Sequence, residues 1–324
     1  MAEAYIIDAV RTPVGRRGGG LAGIHSADLG AHVLRAIVER TGIDPAAVDD
    51  VVMGCVDALG PQASDVARTA WLVAGLPESV PGVTLDRQCG SSQQAVQFAA
   101  QAVASGYSDL IVAAGLQSMS NIPMSASRVA AKDFGFDDPF TSSPGWRERY
   151  GVEEVSQFRS AEMIATRWGV ERDEMELFAL RSHQRAVAAL DAGAFEAEIQ
   201  PIGAASIDEC PRRDSSLERL AKLSTLVPGG RLTAGTSSQI SDGAGAMLIA
   251  SERAVREHGL RPRARIVHAS CVGDDPVLML TAPIPATKRA LERSGLSIDD
   301  IDLFECNEAF APVVLAWQRD TGVD

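Results

Sequence analysis

The sequence predicts an α/β protein in which a strand–helix–strand unit occurs twice, with a helical insertion between the two copies. Three observations predict it. Apolar runs of strand length alternate with amphipathic helices over the first third. The middle third, about 120 to 230, is interrupted by Pro123, Pro139, Pro144 and Ser/Gly stretches and carries two amphipathic helices. Ala36-Ile37-Val38-Glu39-Arg40-Thr41-Gly42-Ile43 returns as Ala290-Leu291-Glu292-Arg293-Ser294-Gly295-Leu296, each followed by an acidic turn and an apolar strand.

In chain order, Tyr5 to Val10 reads as a strand. Ser26 is the expected N-cap of a helix over 27–41, with Leu29, Val33, Ile37 and Val38 on one face and Gly42 as its stop. The β-branched run from Val48 to Cys55 is a strand. Val80 to Leu85 feeds a small-residue turn around Cys89, and a helix then runs to about Ser105. Asp109 to Ala114 is apolar without alternation, as in a sheet covered on both faces. In the insertion, helices are expected over about 160–168 and 173–191. The second copy takes Ala264 to Cys271 as its first strand, a helix ended by Gly295, a strand from Ile301 and a helix starting near Glu308. Its counterparts of the Cys89 turn and of the Leu110 strand are absent, so the second copy reads as incomplete and a C-terminal piece is expected to be missing.

The chain has 324 residues, 46% apolar and 23% charged, which fits one large or two ordinary globular domains. No stretch approaches the roughly 18 uninterrupted apolar residues of a membrane span. The first residues carry no basic segment, so no signal peptide is expected. The 5 cysteines are scattered and form no C-x-x-C pair, which argues against a disulfide framework or a zinc site and for a reducing cytoplasm. A net charge of −13 argues against nucleic-acid binding. It does not exclude an anionic ligand, because local clusters can oppose the global field. Two exist: Arg11, Arg16 and Arg17, then Arg212, Arg213, Arg219 and Lys222. A solvated loop is the alternative for each.

Cys89 is the candidate nucleophile. A thiol in a strand-to-helix turn lies at the helix N-terminus, where unpaired N–H groups and the helix dipole favour the thiolate. The thiolate is the reactive species. The alternative is a packed core cysteine.

With these pieces in place the sequence resembles the thiolase family, the acyl-CoA:acetyl-CoA C-acyltransferases, over essentially its whole length. Val10-Arg11-Thr12-Pro13-Val14-Gly15 looks like the family's opening strand and turn, and Cys89-Gly90-Ser91 like its nucleophile motif. Gly115-Leu116-Gln117-Ser118-Met119-Ser120 resembles the Gly-Met-Glu-Ser-Met-Ser segment. Thr233-Ala234-Gly235-Thr236-Ser237-Ser238-Gln239-Ile240-Ser241-Asp242-Gly243-Ala244 resembles the Thr-Ala-Gly-Asn-Ala-Ser-Gly loop. Asn307-Glu308-Ala309-Phe310-Ala311 carries the Asn-Glu-Ala-Phe signature unaltered.

The resemblance implies a layered αβαβα fold, with residues 1–120 and 230–260 as the N-terminal domain, 121–229 as a loop domain covering coenzyme A, and 261–324 as a truncated C-terminal domain. It implies thiolytic cleavage of 3-ketoacyl-CoA, or the reverse condensation, through an acyl-cysteine at Cys89. Asn307 would hold a water that binds the thioester oxygen as it gains charge. Ser238, Ala309 and Phe310 would contact coenzyme A, with Arg219 and Lys222 as neighbours of its phosphates or adenine. No tightly bound cofactor or metal is implied, only CoA and acyl-CoA as substrates, and a homodimer or tetramer is expected.

Departures accompany the likeness. The family closes with Gly-His-Pro-x-Gly-x-Ser-Gly and Cys-x-Gly-Gly-Gly loops that activate the nucleophile and move the proton at carbon 2. Neither occurs in these 324 residues. His25, His32, His183, His258 and His268 lie in other contexts and read as surface or packing residues. Little turnover is therefore expected of this polypeptide alone. Asp86, Ser92, Gln93, Gln94, Phe158, Leu280 and Ala282 replace smaller or different groups and would reshape the acyl pocket. The wording around Cys89 and Asn307 resembles thiolases of bacterial steroid or branched side-chain breakdown. Two other readings stand beside this one: a non-catalytic CoA-binding homologue or partner subunit, and a β-ketoacyl synthase relative, against which Asn-Glu-Ala-Phe speaks.

Overall fold

The computed structural model describes residues 3–323. It divides into two compact units. The first takes in the chain up to Ala131, Ala192–Cys210 and Ile240–Val267; the second comprises Lys132–Asp191, Pro211–Gln239 and the chain from His268 onward. In order come β1 (Ala4–Arg11), β2 (Gly15–Arg16), α1 (Ser26–Thr41), β3 (Asp50–Gly54), α2 (Val66–Val73), β4 (Gly82–Leu85), α3 (Ser91–Ser105), β5 (Leu110–Ser118) and α4 (Ala126–Ala130). Helices α5 (Pro144–Tyr150), α6 (Gln157–Arg167), α7 (Arg172–Asp191) and α8 (Leu217–Ala221) follow, then β6 (Ser241–Ser251), α9 (Glu252–Glu257) and β7 (Ala264–Arg265). The chain continues through α10 (Pro283–Ser294) and α11 (Ala311–Thr321).

The first unit holds a seven-stranded sheet in the order β4-β3-β5-β6-β1-β7, with β2 paired to β6. β3 runs parallel to β4 and β5, while β6 is antiparallel to both β5 and β1. Leu110, Val112, Ala114 and Leu116 of β5 pack with Leu29, Val33, Leu34 and Ile37 of α1 and Ala67, Ala70 and Trp71 of α2. Ile111 and Ala113 pack with Ala95, Ala99 and Val103 of α3. Both faces of the strand are buried, which is why its sequence does not alternate.

Helix α1 ends as expected at Gly42, in the left-handed region at φ 67°, with its N–H donating to the Val38 carbonyl. Its N-cap is His25, not Ser26: the His25 Nδ1 accepts from the Ala27 N–H at 3.2 Å, while Ser26 is buried as the first helical residue. The same stop recurs at α10, where Gly295 has φ 74° and donates to the Leu291 carbonyl. A 3₁₀ turn follows each glycine, at Pro45–Ala47 and Ile298–Asp300.

The strands expected around the second helix differ. Only Ala264–Arg265 of the first is a strand, and it pairs with Tyr5 and Ile6 of β1. The stretch 301–306 is not a strand, and α11 begins at Ala311. A strand exists through its ladder of backbone partners, and no strand of the described residues runs beside 301–306. Leu303 is accordingly 89% exposed, and the Phe304 ring leans on Trp317 at 5.6 Å between centroids.

The regular elements of the second unit are helices among the described residues. Its core joins Ile164 and Ala165 of α6, Met175 of α7, and Val313 and Ala316 of α11 to Leu232, Leu278 and Phe310.

Candidate active site

In the first unit, Cys89 sits in the turn between β4 and α3 and is exposed, not packed in the core. The turn is held by its own polar groups. The Asp86 Oδ1 accepts from the Gln88 N–H at 2.6 Å. The Ser91 Oγ accepts from the Arg87 N–H at 2.8 Å and donates to the Gln88 carbonyl at 2.5 Å. Gln88 is thereby fixed at φ 49°, a left-handed conformation that a glutamine adopts only when its surroundings impose it. The reversal at Gln88 turns the next residue outward, directly before Gly90, the N-cap of α3. No acidic residue occupies the first turn of α3, so the helix end keeps its positive character.

Two strand glycines let α3 come this close. A Cβ at Gly54 would lie 2.4 Å from the Ser91 carbonyl carbon and 2.4 Å from the Ser92 nitrogen. At Gly115 it would lie 2.5 Å from the Ser92 Cβ. Gly54 and Gly115 as the close approach to α3, and Gln88 and Ser91 as the residues that hold the turn, were not read from the sequence, although Gly115 and Ser91 lie within its motif runs. An isolated glycine near a strand end is the signal for the first two, because it marks a close backbone approach. No sequence signal marks Gln88.

In the second unit the structure brings Ser238 together with Ala309 and Phe310, and Asn307 precedes Ala309 by two residues. The Ser238 N–H donates to the Ala309 carbonyl at 2.8 Å, and Ser237 bridges Phe310. Thr233, fully buried, forms a reciprocal cap with Thr236, and its carbonyl accepts from the Ser237 hydroxyl at 2.9 Å. Phe310 is buried edge-on to Phe158, with ring centroids 5.6 Å apart. Asn307 and Ser238 are exposed beside this anchor. Glu308 accepts from the Ser182 hydroxyl at 2.6 Å. Burial first, then Glu305 and Glu308, push the Cys306 thiol up to about 11.

Arg219 and Lys222 lie on and just after α8, both exposed, each paired locally. Arg219 pairs with Asp214, and the Lys222 Nζ lies 2.6 Å from the Glu218 carboxylate. Three of the histidines take structural contacts. His25 caps α1, His32 lies 3.3 Å from the Gln200 carbonyl, and the His183 Nδ1 accepts from the Arg212 N–H. Burial, then Arg212, lower the His183 pKa. Among the described residues there is no cluster of three or more metal-ligating side chains, and no helix is long and apolar enough to cross a membrane.

An exposed cysteine on a helix tip in an α/β frame, with an Asn-Glu-Ala-Phe segment in the second unit, defines a class of acyl-transferring thiol enzymes. The family match is direct: residues 4–253 match the model of the thiolase N-terminal domain and residues 260–324 that of the thiolase C-terminal domain. The chain is 60% identical to the steroid 3-ketoacyl-CoA thiolase FadA6 of Mycobacterium tuberculosis, over 100% of this chain and 80% of that relative. It is 42% identical to the β-ketoadipyl-CoA thiolase of Pseudomonas aeruginosa, over 99% of this chain and 84% of that one. The solved structure of human mitochondrial 3-ketoacyl-CoA thiolase in complex with CoA superposes with a TM-score of 0.88 at 33% identity, covering 100% of this chain and 83% of that one. A Bacillus anthracis acetyl-CoA acetyltransferase superposes with a TM-score of 0.87 at 33% identity, over 100% and 84%. The chain belongs to the thiolase family. Nothing in these likenesses favours the non-catalytic reading, and none supports the expected loss of turnover.

Proposed function

We propose that this thiolase cleaves 3-ketoacyl-CoA by transferring the shortened acyl group to the Cys89 sulfur. The observation that carries the assignment is the left-handed Gln88, which presents an exposed thiol at the tip of α3. The Cys89 thiolate attacks the keto carbon, the bond between carbons 2 and 3 breaks, and carbon 2 takes a proton from solvent as acetyl-CoA leaves. Free CoA then attacks the thioester, gives its thiol proton to solvent, and the sulfur of Cys89 returns as thiolate. A thiolate is both a strong nucleophile and a good leaving group, so the same steps run in the condensing direction. Asn307, through a water, is the proposed partner of the thioester oxygen. Ser238, Ala309 and Phe310 are proposed for the pantetheine region of CoA, and Arg219 and Lys222 for its nucleotide.

The steroid 3-ketoacyl-CoA thiolase among the relatives supports a ring-bearing or branched acyl group over a simple short chain. We further infer that no tightly bound cofactor takes part, and that the protein works as a homo-oligomer in the cytoplasm. We also propose 1–120 with 230–260 as the N-terminal domain, 121–229 as the loop domain covering CoA, and 261–324 as the C-terminal domain.

The half-reaction separates acyl transfer from turnover. Incubation with acetyl-CoA should add one acetyl group to the peptide containing Cys89, seen by mass spectrometry, and Cys89→Ser should abolish it. An unmodified Cys89 peptide, or acetylation elsewhere that survives Cys89→Ser, overturns the assignment. Acetoacetyl-CoA cleavage by the same preparation measures the turnover.

A further inference from the structure

Helix α8 has five residues, too few to hold itself in water. An arginine from α7 holds its C-terminal end. The Arg172 Nη2 donates to the carbonyls of Leu220, Ala221 and Leu223 at 3.3, 3.1 and 2.8 Å. Leu220 and Ala221 close the helix, where the dipole is negative and a cation is favoured, and Leu223 follows two residues beyond. On its other edge the guanidinium donates from Nε to the Glu176 Oε1 at 2.7 Å. The Glu176 side chain is only 7% exposed, and the Arg172 guanidinium is the cation paired with it. A planar fork can face a carboxylate and several carbonyls at once, which a lysine ammonium cannot.

What α8 carries gives the clamp its meaning. One side of the helix buries Leu220, and Leu220 and Leu223 press against Gly235. A Cβ on Gly235 would lie 2.4 Å from the Leu220 Cδ2 and 2.8 Å from the Leu223 Cδ1. Gly235 belongs to the capped turn that leads into Ser238. The other side of α8 carries Arg219, and Lys222 follows at its C-cap. One half-buried ion pair thus sets the position of a basic helix and of the turn beside it.

We propose that Arg172, oriented by Glu176, is a positioning residue for coenzyme A binding: it fixes α8 so that Arg219 and Lys222 face the nucleotide. This rests on the reading of Arg219 and Lys222 as nucleotide contacts. Arg172 itself touches no ligand in this scheme, so its effect must pass through those two side chains.

A mutant cycle on CoA affinity tests it, read by titration calorimetry on the full chain, with circular dichroism and thermal melting as checks on folding. Arg172→Lys keeps the charge beside Glu176 and removes the fork, so it is used even where Arg172→Ala fails to fold. Arg172→Lys is expected to weaken CoA binding roughly tenfold, and Arg219→Ala with Lys222→Ala by a similar factor. The triple variant should bind no more weakly than that pair, because Arg172 then has nothing left to position. Wild-type affinity in Arg172→Lys, or losses that multiply in the triple variant, overturns the proposal. If Arg219→Ala with Lys222→Ala binds CoA like the wild type, the nucleotide reading falls and the positioning role falls with it.

Discussion

Three cysteines show how surroundings decide whether a thiol reacts. Cys55 is buried directly after β3, and burial first, then Asp86 and Asp57, push it up to about 12 from an ordinary value of 9.0. Cys306 is held at about 11 by burial and two glutamates. A raised value keeps the proton on sulfur, and a protonated thiol is a poor nucleophile. Cys89 stands exposed at a helix tip. Iodoacetamide at pH 8 should therefore label Cys89 while Cys55 and Cys306 stay unmodified, as read by peptide mapping. Labelling of Cys306 should rise only as the pH approaches 11, since its thiolate forms there. Equal labelling of Cys55 and Cys89 at pH 8 would show that burial does not set the order.

At the scale of the element, α3 is positioned by what its neighbouring strands lack. Gly54→Ala sets a methyl 2.4 Å from backbone atoms of Ser91 and Ser92, which cannot swing aside as a side chain tip can. Helix α3 must shift, and with it the turn that presents Cys89. A cost of about 1–3 kcal/mol is expected, seen as a lower urea midpoint with an unchanged slope, together with slower acetylation of Cys89. Gly54→Ala with wild-type stability and acetylation would remove the close approach from the account. The helices were legible where local chemistry decides: Gly42 and Gly295 end α1 and α10 in the same left-handed conformation. The cap at His25 was not, because Ser26 is the better capping residue type and only the fold buries it in the first turn. The strand expected from Ile301 failed for a non-local reason. An apolar run becomes a strand only beside a partner, and the run itself does not say whether one is there. In the site, Cys89 and Asn-Glu-Ala-Phe were legible as motifs. The left-handed Gln88 was not, because the Asp86 and Ser91 bonds that impose it form only once α3 is docked.

Across the whole molecule the sheet of the first unit depends on a strand that arrives late in the chain. β6 lies between β5 and β1, pairing with β5 over Leu110 to Ser118 and with β1 over Ala4 to Arg11. It is pinned at both ends. The buried Asp242 accepts from the Ser120 N–H at 2.8 Å and from its hydroxyl at 2.6 Å. The Ser251 N–H donates to the Asp109 carbonyl at 2.8 Å, and its hydroxyl to the Asp109 carboxylate at 2.6 Å. Residues 1–131 contain β1, β3, β4 and β5 but not the strand that joins β1 to the rest. That fragment alone would leave a row of unpaired backbone groups along β5 and along β1, with Val112 and Ala113 of β5 losing the cover that Leu248 and Ile249 give in the sheet. Such contacts, distant in sequence, form late and reward closure of a long loop. Expressed by itself, 1–131 should therefore unfold without a cooperative transition in urea and bind a hydrophobic dye. A sharp, two-state melt from this fragment would mean that the parallel half of the sheet is stable without β6, and the architecture would then be two subdomains rather than one sheet closed by its sixth strand.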